Sequence, residues 1–216
     1  MWPSERARVL PLARPVVWPL RPTQSAQSTV ELLPDGRRRI LIRHADLRGV
    51  TPEMLAWWFA HVEGDVEYAS RRWPRYLVWH PLDHVAYEVV KRTAEGRVGP
   101  GARLHVVEAF QRNPRTLLDT FVDVERIDAE VAIIARNVLG RCILRLVNTF
   151  QPIQSGTRYV TQMTIGMPNV AGSLGANRVL RSRILGGATA LAWARHHIEE
   201  VGNLEHFLPG LFASEA

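Results

Sequence analysis

The 216-residue sequence contains one cysteine, Cys142, and one lysine, Lys91. A single cysteine excludes an internal disulfide and a thiolate zinc site, so any metal ion must be held by His, Asp or Glu. The remaining basic residues are arginines spread along the chain, and no recognition-helix, RRM or zinc-finger pattern accompanies them. The net charge of +6 therefore does not indicate a nucleic-acid partner.

Long apolar runs are also absent. No window approaches the roughly 18 apolar residues that a membrane span requires, and prolines interrupt the apolar stretches near the N-terminus before the core of a signal sequence can form. We therefore predict a cytoplasmic protein without a membrane partner. The strong preference for arginine over lysine is typical of a GC-rich, bacterial genome.

The chain divides into two parts. Residues 1–36 are rich in Pro, Arg and Ser and predict an irregular N-terminal arm, whereas residues 37–216 predict a single domain. A helix is expected to begin after Thr51, which is a suitable N-cap followed by proline.

From about residue 103 onward, β-rich runs separated by turn candidates predict an antiparallel meander, and helical spacing predicts a long helix over residues 177–201. This order of elements predicts an α+β domain in which a curved antiparallel sheet surrounds a long C-terminal helix.

Ligand-type side chains crowd together in two stretches, "HPLDH" (His80–His84) and "ARHHIEEVGNLEH" near the C-terminus. On a helix, His196 and Glu200 lie four residues apart and share one face, so they can bind the same cation. At about 100° per residue, His196 falls close to the face of Leu185, which suggests that it points inward. A buried His and Glu need a partner or a metal ion.

Glu108 in the strand "LHVVEAF" is a third candidate, because its neighbours are apolar and alternation places it on the face of Val106 and Phe110. Two histidines and two carboxylates can complete a zinc site. Simpler interpretations remain open for each stretch. "HPLDH" is compatible with a proline turn, His196 with Glu200 forms an ordinary i,i+4 pair on a solvated face, and Glu108 points outward if its strand is an edge.

Taken together, the segments "GVTPEMLAWWF", "YLVWHPLDH", "VVEAF", "GTRYVTQMTIG" and "ARHHIEEVGNLEHFLP" resemble the 2,4-diacetylphloroglucinol hydrolase family, which includes phloretin hydrolase. The resemblance covers roughly residues 36–210. It implies a Bet v 1-like helix-grip fold and zinc-dependent hydrolysis of the carbon–carbon bond between an acyl group and a phenolic ring.

The resemblance also implies a role for individual residues. His80, Glu108, His196 and Glu200 match the zinc ligands, with His84 in a supporting position. Asp83 matches a polar residue that contacts a substrate hydroxyl, and Tyr76 is a second candidate for that contact. The position expected for a catalytic histidine of the sheet is held by Asn148.

The expected partners are a small aromatic or polyketide-like substrate and, in a homodimer, a second copy of the chain. The diacetylphloroglucinol enzyme dimerises through an N-terminal helical region, whereas this chain has only its Pro/Arg-rich arm there. Two rival hypotheses keep the fold and change the function. One is a non-catalytic carrier of an apolar aromatic or polyketide ligand, and the other is a purely structural zinc site.

Overall fold

The computed structural model describes residues 10–168 and 175–216. The strands are β1 (Gln27–Leu32), β2 (Arg38–Arg43), β3 (Leu47–Arg48), β4 (Asp65–Tyr68), β5 (Arg71–Pro74), β6 (His84–Lys91), β7 (Arg103–Ala109), β8 (Leu117–Ile127), β9 (Val131–Val138), β10 (Arg141–Ile153) and β11 (Gly156–Ile165). The main sheet has the order β1-β2-β11-β10-β9-β8-β7-β6, with β3 also paired to β11, and β4 forms a separate hairpin with β5. The predicted antiparallel meander is confirmed, since each strand from β7 to β11 pairs with the next one along the chain.

The helices are α1 (Pro52–Ala60), α2 (Arg75–Trp79), α3 (Asn177–Ile184) and α4 (Gly187–Glu215). Thr51 caps α1 as predicted, because its side chain accepts a hydrogen bond from the backbone N–H of Met54. The long helix predicted over residues 177–201 is divided in two. Leu185 leaves the helical region with φ −142°, and two glycines, which are poor helix formers, follow it.

The predicted arm is only partly irregular. Residues 1–9 lie outside the described part of the chain, and residues 10–22 form no regular strand or helix. Residues 27–32 contradict the prediction because they form β1, which pairs in register with β2. This strand is mostly exposed at an edge of the sheet, so it lacks the alternation of apolar and polar residues that identifies a half-buried strand.

Helix α4 packs along the sheet and organises the core. Its C-terminal part contributes Val201 and Leu204 to a cluster with Trp58, whereas Trp193 and Ile198 join a second cluster on the sheet. The register shifts within the β6–β7, β8–β9 and β9–β10 pairs, and such bulges bend a sheet. The predicted α+β helix-grip architecture, which is the Bet v 1-like arrangement, is confirmed. Among the described residues, no helix has both the length and the apolarity needed to cross a bilayer.

Candidate metal centre

Four ligand-type side chains from β6, β7 and α4 meet between the sheet and the helix. His84 begins β6, and the β6–β7 register places it directly opposite Glu108. His196 and Glu200 approach from α4, one helical turn apart. All four are buried or nearly so, with the side chain of Glu108 the most accessible at 14%. The site therefore depends on a strand pair and a helix that are distant in sequence.

The distances between these donor atoms suit a single small cation. Nε2 of His84 lies 3.2 Å from Oε2 of Glu200 and 3.8 Å from Oε1 of Glu108. Nε2 of His196 lies 3.6 Å from Oε2 of Glu200 and 3.8 Å from Oε2 of Glu108. Zinc–ligand bonds of about 2.0–2.2 Å in a tetrahedron separate neighbouring ligand atoms by about 3.3–3.6 Å. These four separations are close to the tetrahedral values, and His84, Glu108 and His196 offer ligand atoms that all lie within 4.8 Å of one another.

Hydrogen bonds to the other ring nitrogens fix the direction of both histidines. Nδ1 of His84 donates to the carbonyl oxygen of Tyr76 at 2.5 Å, and Nδ1 of His196 donates to Oδ2 of Asp83 at 3.1 Å. In its neutral form, each ring consequently presents the lone pair of Nε2, which is the atom that a metal ion needs. Both Nε2 atoms are buried without a hydrogen-bond partner among the described residues. These unpartnered atoms fit a metal ion.

The charge balance of the site also calls for a cation. In the described part of the chain, neither Glu108 nor Glu200 has an Arg or Lys within ion-pair distance, and histidines are their only basic neighbours. Burial opposes protonation of His196, but Glu200, Asp83 and Glu108 outweigh it and raise its pKa to about 9. Without a metal ion, a proton on His196 supplies part of the missing positive charge. A divalent cation would neutralise the two glutamates more completely.

The structure brings together three of the four predicted ligands but places His84, rather than His80, opposite them. Nε2 of His80 lies 3.1 Å from Oε2 of Glu199, and Nδ1 accepts the backbone N–H of Asp83 at 3.1 Å. His80 stacks against His196 with ring centroids 4.4 Å apart. A second group that could hold a metal combines His80, Asp83 and Nδ1 of His196, but these atoms already bond one another and Glu199. His80 therefore contacts Glu199 and the ring of His196 and is not one of the four clustered donors.

Asp83 also has a different position from the one predicted. Its carboxylate accepts the backbone N–H groups of Gln111 and Arg112 at 3.0 and 3.2 Å, in addition to Nδ1 of His196. It is buried behind His196 and is not part of the cavity wall. Its oxygens face protein donors rather than the cavity, and the contact between Asp83 and a substrate hydroxyl stays a prediction. The hydrogen bond from His196 shows that Asp83 orients a candidate metal ligand.

A cavity lies between α4 and the sheet beside this cluster. Both Glu108 and Glu200 form part of its wall, and most other wall residues are apolar. Tyr76 also lines the cavity, as predicted for a substrate contact, and its hydroxyl donates to Oε1 of Glu108 at 2.5 Å. Its ring stacks on His84 at 3.9 Å between centroids.

Asn148, the predicted catalytic position, lies on the cavity wall beside His197. Its Oδ1 accepts from the hydroxyl of Thr161 at 2.9 Å. The hydroxyl of Thr161 lies 2.9 Å from Nε2 of His197, and Nδ1 of His197 contacts Glu200. His197 was not anticipated, although its i,i+3 spacing from Glu200 is visible in the sequence. For His84, the sequence offered two histidines in one turn and no means of choosing between them.

The chain is similar to a known protein family and to several solved structures. The family model described as "DAPG hydrolase PhiG domain" matches residues 21–213. No curated protein sequence matches the chain. Among solved structures, the KanY protein (ms6282) is 13% identical, with 85% of this chain and 97% of that chain covered and a TM-score of 0.49.

The protein TTHA0849 from Thermus thermophilus is 14% identical, with 83% of this chain and 98% of that chain covered and a TM-score of 0.47. Ara h 8.0201 is 11% identical, with 76% and 98% covered and a TM-score of 0.39. These low similarities carry no conclusion about function. The family model, in contrast, spans nearly the whole chain and includes every residue of the four-donor cluster. The chain belongs to the DAPG hydrolase family.

Proposed function

We propose that this protein is a zinc-dependent hydrolase that cleaves the carbon–carbon bond between an acyl group and a phenolic ring. The observation that carries the proposal is the cluster of His84, Glu108, His196 and Glu200, whose two glutamates line a largely apolar cavity. In the balanced reaction, the acyl carbon gains the hydroxyl of water and the ring carbon gains its proton. A bound zinc ion would supply Lewis acidity toward the ketone oxygen or lower the pKa of a coordinated water.

The surrounding residues hold the ligands and orient the substrate. The hydroxyl of Tyr76 fixes Glu108, and the stacked ring of Tyr76 fixes the plane of His84. In the described residues, Nδ2 of Asn148 makes no hydrogen bond, so it can donate to a substrate oxygen at the cavity wall. Fixed donors of this kind help to hold a phenol or ketone in a reactive orientation.

The cavity favours a flat, largely apolar substrate with a few oxygens. Phe59, Trp79, Leu146 and further apolar side chains form most of its wall. Such a cavity, with a small number of placed polar groups, is typical of sites for aromatic small molecules. We therefore propose acylphloroglucinols and related acylphenols as the substrate class. A simple carrier would need the cavity but would have no use for two buried glutamates beside it.

The test is turnover by zinc-loaded protein on mono- and diacylphloroglucinols, followed by chromatography of the deacylated phenol and the released acid. We expect the His196→Ala variant to lose both stoichiometric zinc and turnover. His105→Ala is the matched control, because His105 pairs with Asp119 away from the cavity at 2.8 Å. Zinc retained by His196→Ala would contradict the site. Zinc-loaded wild type that binds acylphenols without turnover would favour the carrier or a structural zinc.

A further inference from the structure

An N-terminal strap, defined here as residues 11–22, runs over the segment that carries His84. Its backbone forms no strand or helix, and most of its side chains are exposed. Arg14 is different, with only 3% of its surface accessible. Burial of a guanidinium is costly unless its donors are bonded. The contacts of Arg14 therefore determine how the strap is seated.

Arg14 binds both ends of the turn that leads to His84. Its guanidinium donates to the carbonyl oxygen of His84, and its backbone N–H donates to the carbonyl oxygen of Pro81 at 3.1 Å. In the described residues, Arg14 forms no ion pair with a carboxylate. Among the described residues, its guanidinium bonds the backbone of a candidate metal ligand, while its Nε is buried without a hydrogen-bond partner.

Further contacts anchor the strap on the other side. The hydroxyl of Tyr68 donates to the carbonyl oxygen of Pro15 at 2.5 Å and accepts the N–H of Val17 at 3.0 Å. The ring of Trp18 stacks on His206 of α4, with centroids 5.5 Å apart.

Arg21 forms an ion pair with Glu205 at 2.6 Å. Its aliphatic part crosses α4 at Gly202, where a Cβ would overlap it. The strap consequently links the beginning of β6 to the helix that carries His196 and Glu200.

We propose that Arg14 is a positioning residue for His84, and that its contacts with the backbone around His84 raise the affinity of the centre for zinc. The inference rests on the zinc site of the proposed function but not on its reaction. Holding the backbone of His84 fixes the origin of its side chain, so Nε2 stays aimed at the other three donors. Outer residues that orient metal ligands typically change metal affinity by about 10–100-fold.

The test measures zinc affinity by competition with a chelator of known affinity in wild type, Arg14→Met, Arg14→Lys and Arg21→Met. Arg14→Met keeps an apolar stem but loses the donors, so we expect zinc to bind about 10–100-fold more weakly. Arg14→Lys keeps one charged donor and should recover part of the loss. Arg21→Met is the matched control because it weakens the strap away from His84, and it should keep zinc affinity within about twofold.

A second measurement separates positioning from general stability. Binding linkage is reciprocal, so zinc should slow hydrogen exchange at the amides of Arg14 and Val17 in wild type. Equal zinc affinity in Arg14→Met and Arg21→Met would overturn the proposal. If Arg14→Met does not fold, amide exchange that zinc leaves unchanged in wild type would overturn it instead.

The outcomes distinguish this proposal from the proposed function. If Arg14→Met lowers zinc affinity while the wild type hydrolyses no acylphenol, the strap proposal stands and the hydrolase proposal fails. If the wild type hydrolyses acylphenols and Arg14→Met binds zinc with wild-type affinity, the hydrolase proposal stands and the strap proposal fails. A wild-type chain that binds no zinc would overturn both.

Discussion

Asp83 accepts a hydrogen bond from Nδ1 of His196 at 3.1 Å, and this bond directs Nε2 of the histidine toward Glu108 and Glu200. The same carboxylate accepts two backbone N–H groups, from Gln111 and Arg112, whose φ angles are 56° and 53°. Left-handed conformations are unfavourable for residues other than glycine. Asp83 therefore holds both a candidate metal ligand on α4 and the turn that follows Glu108 on β7.

Replacing Asp83 by Asn tests this dual role. The amide can accept from His196 through one oxygen, but it loses the negative charge and the second acceptor. We expect zinc affinity to fall by about 10–100-fold, with the far-UV circular dichroism spectrum retained. Chelator competition measures the affinity. Unchanged zinc affinity together with a raised KM for acylphenols would instead restore a substrate contact for this residue.

The two histidines of "HPLDH" should differ sharply on mutation. His84→Ala removes a direct ligand, so we expect loss of stoichiometric zinc in elemental analysis after dialysis. His80→Ala removes only a supporting ring that stacks on His196 and bonds Glu199, so zinc should remain at one ion per chain with weaker affinity. Loss of zinc in His80→Ala and its retention in His84→Ala would reverse the assignment.

Zinc affinity should depend on pH through His196. Burial opposes its charged form, but Glu200, Asp83 and Glu108 raise the pKa of the metal-free histidine to about 9. A raised pKa means that the ring keeps its proton at neutral pH, and zinc must displace that proton from Nε2. Between about pH 7 and pH 9, one displaced proton makes the apparent affinity rise about tenfold per pH unit, and the rise ends above that range.

Chelator competition across these pH values measures the slope, and calorimetry in buffers of different ionisation enthalpy counts the protons released. An affinity that does not change between pH 7 and pH 9 would contradict the raised pKa.

Arg136 is expected to select among substrates. Its half-buried side chain forms part of the largely apolar cavity wall, and it has no ion-pair partner among the described residues. A charge-assisted hydrogen bond from its guanidinium would favour an ionised phenol or a carboxylate. Arg136→Met should raise KM for ionised acylphenols by about tenfold with little change in kcat. The matched measurement uses a neutral O-methylated analogue, whose KM should be the same for both proteins.

Much of the fold could be predicted from the sequence because short-range patterns specify its helices and strands. The Thr51 cap, the alternating runs of the meander and the helical spacing around His196 are all short-range signals, and each appears in the structure. The sequence missed β1 because an exposed edge strand has no apolar stripe. It also placed one continuous helix where Leu185 and two glycines divide the chain into α3 and α4.

The sequence by itself determined which residue types are present for a metal centre: one carboxylate in a strand, and a histidine with a glutamate one helical turn apart. Tertiary structure alone decided which histidine faces Glu108, because the end of α2 and the β6–β7 register place His84 opposite it, whereas His80 contacts Glu199. Tertiary structure also decided that the carboxylate of Asp83 accepts a hydrogen bond from His196. A hydrogen bond or a metal site depends on positions a few ångströms apart in space, and spacing along the chain constrains such positions only within one helix or strand.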